Sequence, residues 1–229
     1  MEFQRYAIYY APPAEAAWGR FATGWLGWDM EAGAEVPHPA VAGLPLPVEE
    51  ITATPRKYGA HATLKPPFRL AEGKTRAQLE VACADLCAML APLRLDGLAL
   101  ARLGRFLALR PLGGTEALNA LAARAVEALD PFRAPASEAE LARRRAAGLS
   151  PAQEENLARW GYPYVMGEFR FHITLSGKLA KPALGTVEAA LARDLGPLLP
   201  VPFGIDDLAL MGEDAAGRFH LIHRYTLSG

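Results

Sequence analysis

The sequence predicts an α+β fold made by internal duplication, and three observations carry that expectation. The tetrapeptide His61-Ala62-Thr63-Leu64 returns in the second half as His172-Ile173-Thr174-Leu175. After each copy the predicted elements follow in one order: helix, strand, turn, strand. Residues in those elements repeat as well: Leu95-Asp96-Gly97-Leu98-Ala99-Leu100 matches Ile205-Asp206-Asp207-Leu208-Ala209-Leu210, and Gly104-Arg105-Phe106 matches Gly217-Arg218-Phe219. Similar halves pack about a pseudo-twofold axis, which brings equivalent residues together where the halves meet. The expected organisation is a single bilobal domain, with one lobe containing 55–112, the other containing 167–229, and a helical insert at about 134–160.

Taken in order, Arg5 to Tyr10 is a β-branched and aromatic strand stopped by Pro12-Pro13. Trp18, Phe21, Trp25 and Trp28 recur at helical spacing, a core stripe. The stretch 33–55 is rich in Pro and Gly without periodicity and predicts a long loop; His38, between two prolines there, has no assigned role. The first tetrapeptide runs into Lys65-Pro66-Pro67-Phe68, so its strand ends there or lies at a sheet edge. Thr75 with Gln78 forms a capping box for a helix burying Leu79, Cys83, Leu86 and Leu90. Leu93 to Leu103 and Arg105 to Leu112 predict a hairpin, and Leu118, Leu121, Ala125 and Leu129 the next helix.

Composition then turns charged and Ala-rich. Ser137 with Glu140 and Ser150 with Gln153 are two more capping boxes, predicting two short exposed helices in a position to act as a lid. Arg143-Arg144-Arg145 reads first as a solvated helix face. After the second tetrapeptide come a helix with Leu184, Val187, Leu191 and Leu195 and two closing strands, Val201 to Met211 and Arg218 to Leu227.

The bulk properties narrow the function classes. A net charge of −1 argues against a chain that traps nucleic acid or anionic lipid by its overall field. There is no membrane-length apolar run and no signal-peptide pattern at the start, so a soluble, cytoplasmic protein is expected. Cys83 and Cys87, four apart on one predicted helix, suit buried packing better than a disulfide or a zinc site.

On a regular strand the period of two sets His61 with Thr63, and His172 with Thr174, on the face opposite the apolar pair. Imidazole and hydroxyl then stand roughly 6.6 Å apart, within reach of different oxygens of one phosphate. The same parity adds Lys65, Arg170 and Ser176 to that face; a rim position for Lys65 is an equal alternative. Arg170 lies between Phe169 and Phe171 and so points opposite to both, which favours phosphate contact. Tyr58, Tyr162 and Tyr164 are placed to stack a base or sugar, or simply to pack. Arg56 reads as a solvated loop arginine. His220 and His223, three apart on a strand, face opposite ways and read as structural or surface residues.

Two His-x-Thr motifs in a duplicated α+β chain resemble the two-histidine phosphoesterases, the superfamily of RNA ligase T-like proteins and cyclic phosphodiesterases. Within it, the sequence is most similar to proteins encoded in bacterial phosphonate-utilisation operons. The resemblance rests on Arg56-Lys57-Tyr58-Gly59-Ala60-His61-Ala62-Thr63-Leu64-Lys65-Pro66-Pro67-Phe68, on Gly161-Tyr162-Pro163-Tyr164-Val165, on Phe169-Arg170-Phe171-His172-Ile173-Thr174-Leu175, and on Phe219 to Leu227. It spans nearly the whole chain; Ala60 stands where that group has a bulkier aromatic. The resemblance implies two mainly antiparallel sheets facing a central cleft, helices on the outer faces, and metal-independent phosphodiester chemistry with no cofactor.

Opening a cyclic phosphodiester needs a base to take a proton from water and an acid to protonate the departing oxygen, and two imidazoles on opposite sides of phosphorus can do both. The expected catalytic set is His61, Thr63, His172 and Thr174, the threonines donating to non-bridging oxygens; which histidine is the base stays open. Lys65, Arg170, Tyr58 and Tyr164 are the expected substrate-binding residues. The expected partner is a small phosphate ester, hydrolysed by a phosphoric diester hydrolase. A nucleotide- or RNA-end-binding protein without turnover is the alternative, followed by an RNA ligase or end-processing enzyme. A metallohydrolase comes last, because no histidine or acidic cluster has ligand spacing.

Overall fold

The computed structural model describes residues 2–229. The chain opens with β1 (Arg5–Tyr10), α1 (Ala17–Leu26) and a short ribbon of β2 (Trp28–Asp29) and β3 (Ala34–Glu35). After α2 (Val48–Thr52) and a 3-10 turn at Arg56–Tyr58 come β4 (Ala62–Phe68), α3 (Arg76–Ala88), β5 (Leu93–Leu95), β6 (Gly97–Leu103) and β7 (Phe106–Leu112). Then α4 (Glu116–Leu129), α5 (Glu138–Arg145) and α6 (Pro151–Trp160) lead to β8 (Ile173–Thr174). The chain closes with α7 (Lys181–Asp194), β9 (Phe203–Ile205), β10 (Asp207–Glu213) and β11 (Phe219–Thr226). Within the stretch expected as loop, α2 buries Val48, Ile51 and Thr52; one turn and a half is too short to show a period in sequence.

The three capping boxes form as the sequence indicates. Thr75, Ser137 and Ser150 each accept from the backbone N–H three residues on, and Gln78, Glu140 and Gln153 reach back to the cap. Such a cap contributes about 0.5–2 kcal/mol, enough to fix where these helices start.

Strand pairing is antiparallel throughout, and it crosses the two halves of the sequence. One sheet has the order β11-β10-β1-β4, the other β6-β7-β8. The strand of the first tetrapeptide therefore shares a sheet with the hairpin of the second half, while that of the second pairs with the hairpin of the first. Each sheet thus draws strands from both of the stretches 55–112 and 167–229 or their flanks. Helix and hairpin of each half are linked by enough chain to reach across, and the ladder forms where apolar faces match. The duplication is also not strict, since β1 has no counterpart beside β8.

The pseudo-twofold shows where the strands expected at 93–103 and 201–211 each break. Asp96 separates β5 from β6, Asp206 separates β9 from β10, and β5 pairs with β9. Arg94 and Gly204, equivalent positions in the two copies, are partners in that pairing, so the axis passes between them. One continuous core packs across this seam and includes Tyr10, Trp18, Leu95, Phe171, Phe203 and Ile205. A smaller cluster of Ala7, Tyr9, Ala11, Trp28, Met30, Ala209, Met211 and Phe219 covers the opposite face of the four-stranded sheet, so β1 is buried on both sides.

Pro66 and Pro67 lie inside β4, which sits at a sheet edge where missing N–H groups cost nothing. Among the described residues no helix is long and apolar enough to cross a membrane. Phe203, 1% exposed, meets Tyr10, Trp18 and Phe171 at the seam. Phe203→Ala should cost about 3–5 kcal/mol, read as a lower urea midpoint with an unchanged slope. A loss under about 1 kcal/mol would show that the seam does not hold the halves together.

Candidate active site

Both tetrapeptide histidines stand one residue before their strands, and both are tethered the same way. His61 Nδ1 lies 3.0 Å from Gly59 O, and His172 Nδ1 lies 2.8 Å from Arg170 O, in each case the carbonyl two residues back. A carbonyl only accepts, so in each neutral ring the proton is on Nδ1 and Nε2 keeps its lone pair. The tether on His61 depends on Gly59, whose φ of 68° and ψ of −175° belong to a region that is essentially glycine's alone. A Cβ there would also fall 2.4 Å from Met30 Cγ.

The two imidazoles line a single cleft of about 270 Å³ together with Thr63 and Thr174. Its other walls are Arg5, Tyr9, Tyr58, Pro66, Pro67, Arg144 and Tyr162. Thr63 comes from the four-stranded sheet and Thr174 from the three-stranded one, so the cleft lies where the two sheets meet. Thr63 Oγ1 sits 3.2 Å from His61 Nε2 and donates to it when that nitrogen is unprotonated. No carboxylate lines the cleft. Tyr9 stacks on His61 with ring centroids 3.9 Å apart, and Tyr58 lies tilted at 5.8 Å. Burial beneath these rings lowers the His61 pKa to about 4, against a smaller upward pull from the Gly59 carbonyl; the charge of His172 lowers it further.

The other expected binding residues divide. Tyr58 lines the cleft. Arg170 and Tyr164 line an adjoining hollow of about 250 Å³ that shares Thr63, Pro66, Tyr162 and His172 with the cleft. Arg170 donates to the carbonyls of Gly167 and Phe169, at 2.9 and 2.6 Å, so it braces its own loop rather than facing the cleft. The parity argument fails there because the backbone before Ile173 is not strand; a 3-10 turn occupies Met166–Glu168.

Lys65 requires a correction. Tyr9 pairs with Thr63 but Ile8 pairs with Lys65, so Leu64 is an extra residue, a β-bulge that turns Lys65 to the face opposite Thr63. Lys65, 1% exposed, points away from the cleft to the C-terminal end of α4. There its Nζ donates to Val126 O at 3.1 Å and lies 3.5 Å from Asp130 Oδ1. Burial lowers its pKa to about 8, partly offset by Asp130. Ser176 is likewise structural, accepting from Leu107 N and donating to Gly177 O. His220 is bound to Asp214 at 2.8 Å, and exposed His223 packs on Tyr225. Ala60 faces a separate hollow of about 310 Å³ behind the first strand.

The structure adds Arg5, Tyr9 and Arg144 to the residues the sequence singles out for this site. Tyr9 is hidden in a strand that reads as core, and Arg144 in a charge run that reads as solvent-facing. Arg69 pairs with Glu140 at 2.7 Å and fastens α5 to the end of β4, which carries Arg144 to the rim. From α6, Asn156 holds the carbonyls of Pro163 and Val165, and Gln153 holds Glu168, fixing the loop that bears Tyr162.

Residues 63–220 match the family described as "Protein of unknown function (DUF1045)", and the chain belongs to that family. It is also similar to two curated proteins named ribose 1,5-bisphosphate phosphokinase PhnN. One, from Janthinobacterium sp. (strain Marseille), is 36% identical over 218 residues, covering 93% of this chain and 48% of the relative. The other, from Laribacter hongkongensis (strain HLHK9), is 36% identical over 213 residues, covering 93% and 49%. The chain thus spans about half the length of these relatives. Among solved structures, E. coli LigT complexed with 3'-AMP is similar over 100% of both chains at 17% identity and a TM-score of 0.43. The Thermus thermophilus protein TT0787 is similar over 98% of each chain at 16% identity and a TM-score of 0.42.

Lys65→Ala should lower stability by about 2–4 kcal/mol, because it opens a void and leaves the end of α4 without its donor. Its effect on the affinity of the folded protein for inorganic phosphate should stay within about threefold; a loss beyond about 100-fold would return Lys65 to the cleft. For His61 the folded-state pKa lies below the ordinary value of about 6.5, so the unfolded chain takes up the proton first as pH falls. The stability tied to neutral His61 is present in full above about pH 6.5 and is lost between about 6.5 and 4. Urea unfolding at pH 7 and 4.5 should show a smaller pH dependence in His61→Gln than in the native protein; equal dependence would contradict the burial of this ring.

Proposed function

We propose that this chain is a phosphoesterase that opens a small cyclic phosphodiester, with His61 as general base and His172 as general acid. The observation that carries this reading is the matched tethering of two imidazoles through Nδ1 at one shared cleft, which leaves each Nε2 as the nitrogen able to exchange a proton there, that of His61 beside the Thr63 hydroxyl. A water oxygen forms a bond to phosphorus as its proton passes to His61 Nε2. One ring P–O bond breaks, and the departing alkoxide takes the proton from His172 Nε2. Each ring keeps its Nδ1 proton on a carbonyl throughout, so both proton transfers use the nitrogen facing the cleft. The Thr63 and Thr174 hydroxyls are placed to donate to the non-bridging oxygens as their charge grows.

The assignment of base to His61 follows from its surroundings. Burial against Tyr9 keeps it neutral at pH 7, the state a base requires. A cleft of about 270 Å³ is at the small end of ligand pockets, roughly 300–1,000 Å³, and suits a sugar or nucleotide phosphate better than a length of RNA. The similarity to proteins named for ribose 1,5-bisphosphate supports a phosphorylated pentose as the substrate class. It also agrees with the sequence resemblance to proteins of phosphonate-utilisation operons.

Assays on ribose and nucleoside cyclic phosphates in the presence of a chelator test the reading. His61→Ala and His172→Ala should each reduce kcat by about 10²–10⁴-fold while substrate still binds. In the native enzyme kcat/KM should decline on the acid side only as pH approaches about 4. Turnover that survives both substitutions would sink the acid–base pair, and binding without turnover in the native protein would make the chain a nucleotide-binding protein instead.

A further inference from the structure

We infer that the cleft contains a second anion subsite, centred on Arg144 and completed by Arg5 and the Tyr9 hydroxyl, and that the substrate therefore carries a phosphate monoester besides its cyclic phosphodiester. The inference rests on the reading just given and specifies its substrate. The two histidines and two threonines account for one phosphate. The remaining polar lining of the same cleft is Arg5, Tyr9, Tyr58, Arg144 and Tyr162, two cations and three phenols with no carboxylate among them.

Arg144 differs from its neighbours in the triplet. Arg145 is paired with Glu154 at 2.6 Å, and Arg143 is exposed. The Arg144 guanidinium is turned inward over the Tyr162 ring, 4.3 Å from its centroid, and among the described residues it has no carboxylate partner. Glu140 is committed to Arg69, and Glu213 neutralises Arg5 itself, so among the described residues Arg144 is the lining cation whose charge stays unpaired. Arg5 holds Glu213 through Nε and Nη2 and makes no hydrogen bond through Nη1. A guanidinium held against an aromatic ring, as Arg144 is against Tyr162, is restricted in position and still has donors to offer a phosphate.

A second observation is independent of the charges. Tyr9, 0% exposed, lines the cleft, yet its hydroxyl has no hydrogen-bond partner among the described residues. A buried unpaired hydroxyl costs about 1–3 kcal/mol, and it belongs to the same cleft lining as Arg5 and Arg144. A phosphate oxygen bound at this end would satisfy it. Hydrolysis of such a substrate leaves a product with two phosphate monoesters. The monoester at Arg144 is not altered, and its binding serves to orient the ring phosphate between the histidines.

The test compares ribose cyclic phosphate with and without a phosphate on its primary hydroxyl, using the native protein, Arg144→Ala and, as a surface-charge control, Arg143→Ala. The extra phosphate should raise kcat/KM by about 10- to 100-fold in the native protein and in Arg143→Ala, and by less than about threefold in Arg144→Ala. An equal advantage in native protein and Arg144→Ala, or no advantage in the native protein, overturns the subsite while leaving the phosphoesterase intact. Calorimetric binding of the same two compounds separates the remaining case. If neither is turned over but the second phosphate tightens binding only when Arg144 is present, the catalytic reading fails and the subsite stands.

Discussion

The site exists because strand pairing in this chain is crossed. The backbone of β8 finds its partner in β7, and β4 finds its partner in β1, which in turn rests on β10. A short strand cannot leave its N–H and C=O groups unpaired in a buried seam, so each tetrapeptide is held by a ladder anchored in the other half of the chain. The position of each histidine is thus fixed by residues remote in sequence. Neither half contains a complete cleft, and folding of the whole is what brings Thr63 and Thr174 to the same space.

On that frame, two local devices prepare the imidazoles. The tether from Nδ1 to the carbonyl two residues back sets both tautomers without recruiting a carboxylate. Stacking and burial then separate the rings in character: His61 lies under Tyr9, with its charged form disfavoured. Like side chains placed by a duplication thereby differ in protonation behaviour because their surroundings differ. The unusual backbone at Gly59 and the unpaired Tyr9 hydroxyl are local costs at the same point, and a core continuous across the seam offsets them.

Sequence parity misleads at places that share a physical cause. Thr63 and Lys65 are two apart and belong on one face of an ideal strand, but the bulge at Leu64 sends the lysine into the core, where it stabilises the end of α4. Arg170 reads as strand and is loop. In the opposite direction, the arginine run looks like a solvated face, and two of its members do face solvent. Arg144 does not, because the ion pair of Arg69 and Glu140 turns α5 so that one side of this short helix closes the cleft. Facing relations beyond a residue or two from a motif depend on bulges and helix rotation, which no single-residue pattern encodes.

By itself the sequence determined the α+β character, the duplication, the positions of the longer helices with the three capping boxes, and the four side chains that share a cleft. These follow from local rules: period, capping chemistry, and the repetition of a motif that only a common site explains. The exchange of strands between halves, the tethered tautomers, the lowered His61 pKa, and the recruitment of Arg5, Tyr9 and Arg144 were decided only by tertiary structure. Each arises from contacts between segments far apart in the chain, whose energies depend on burial and packing that form when the two sheets close on one another.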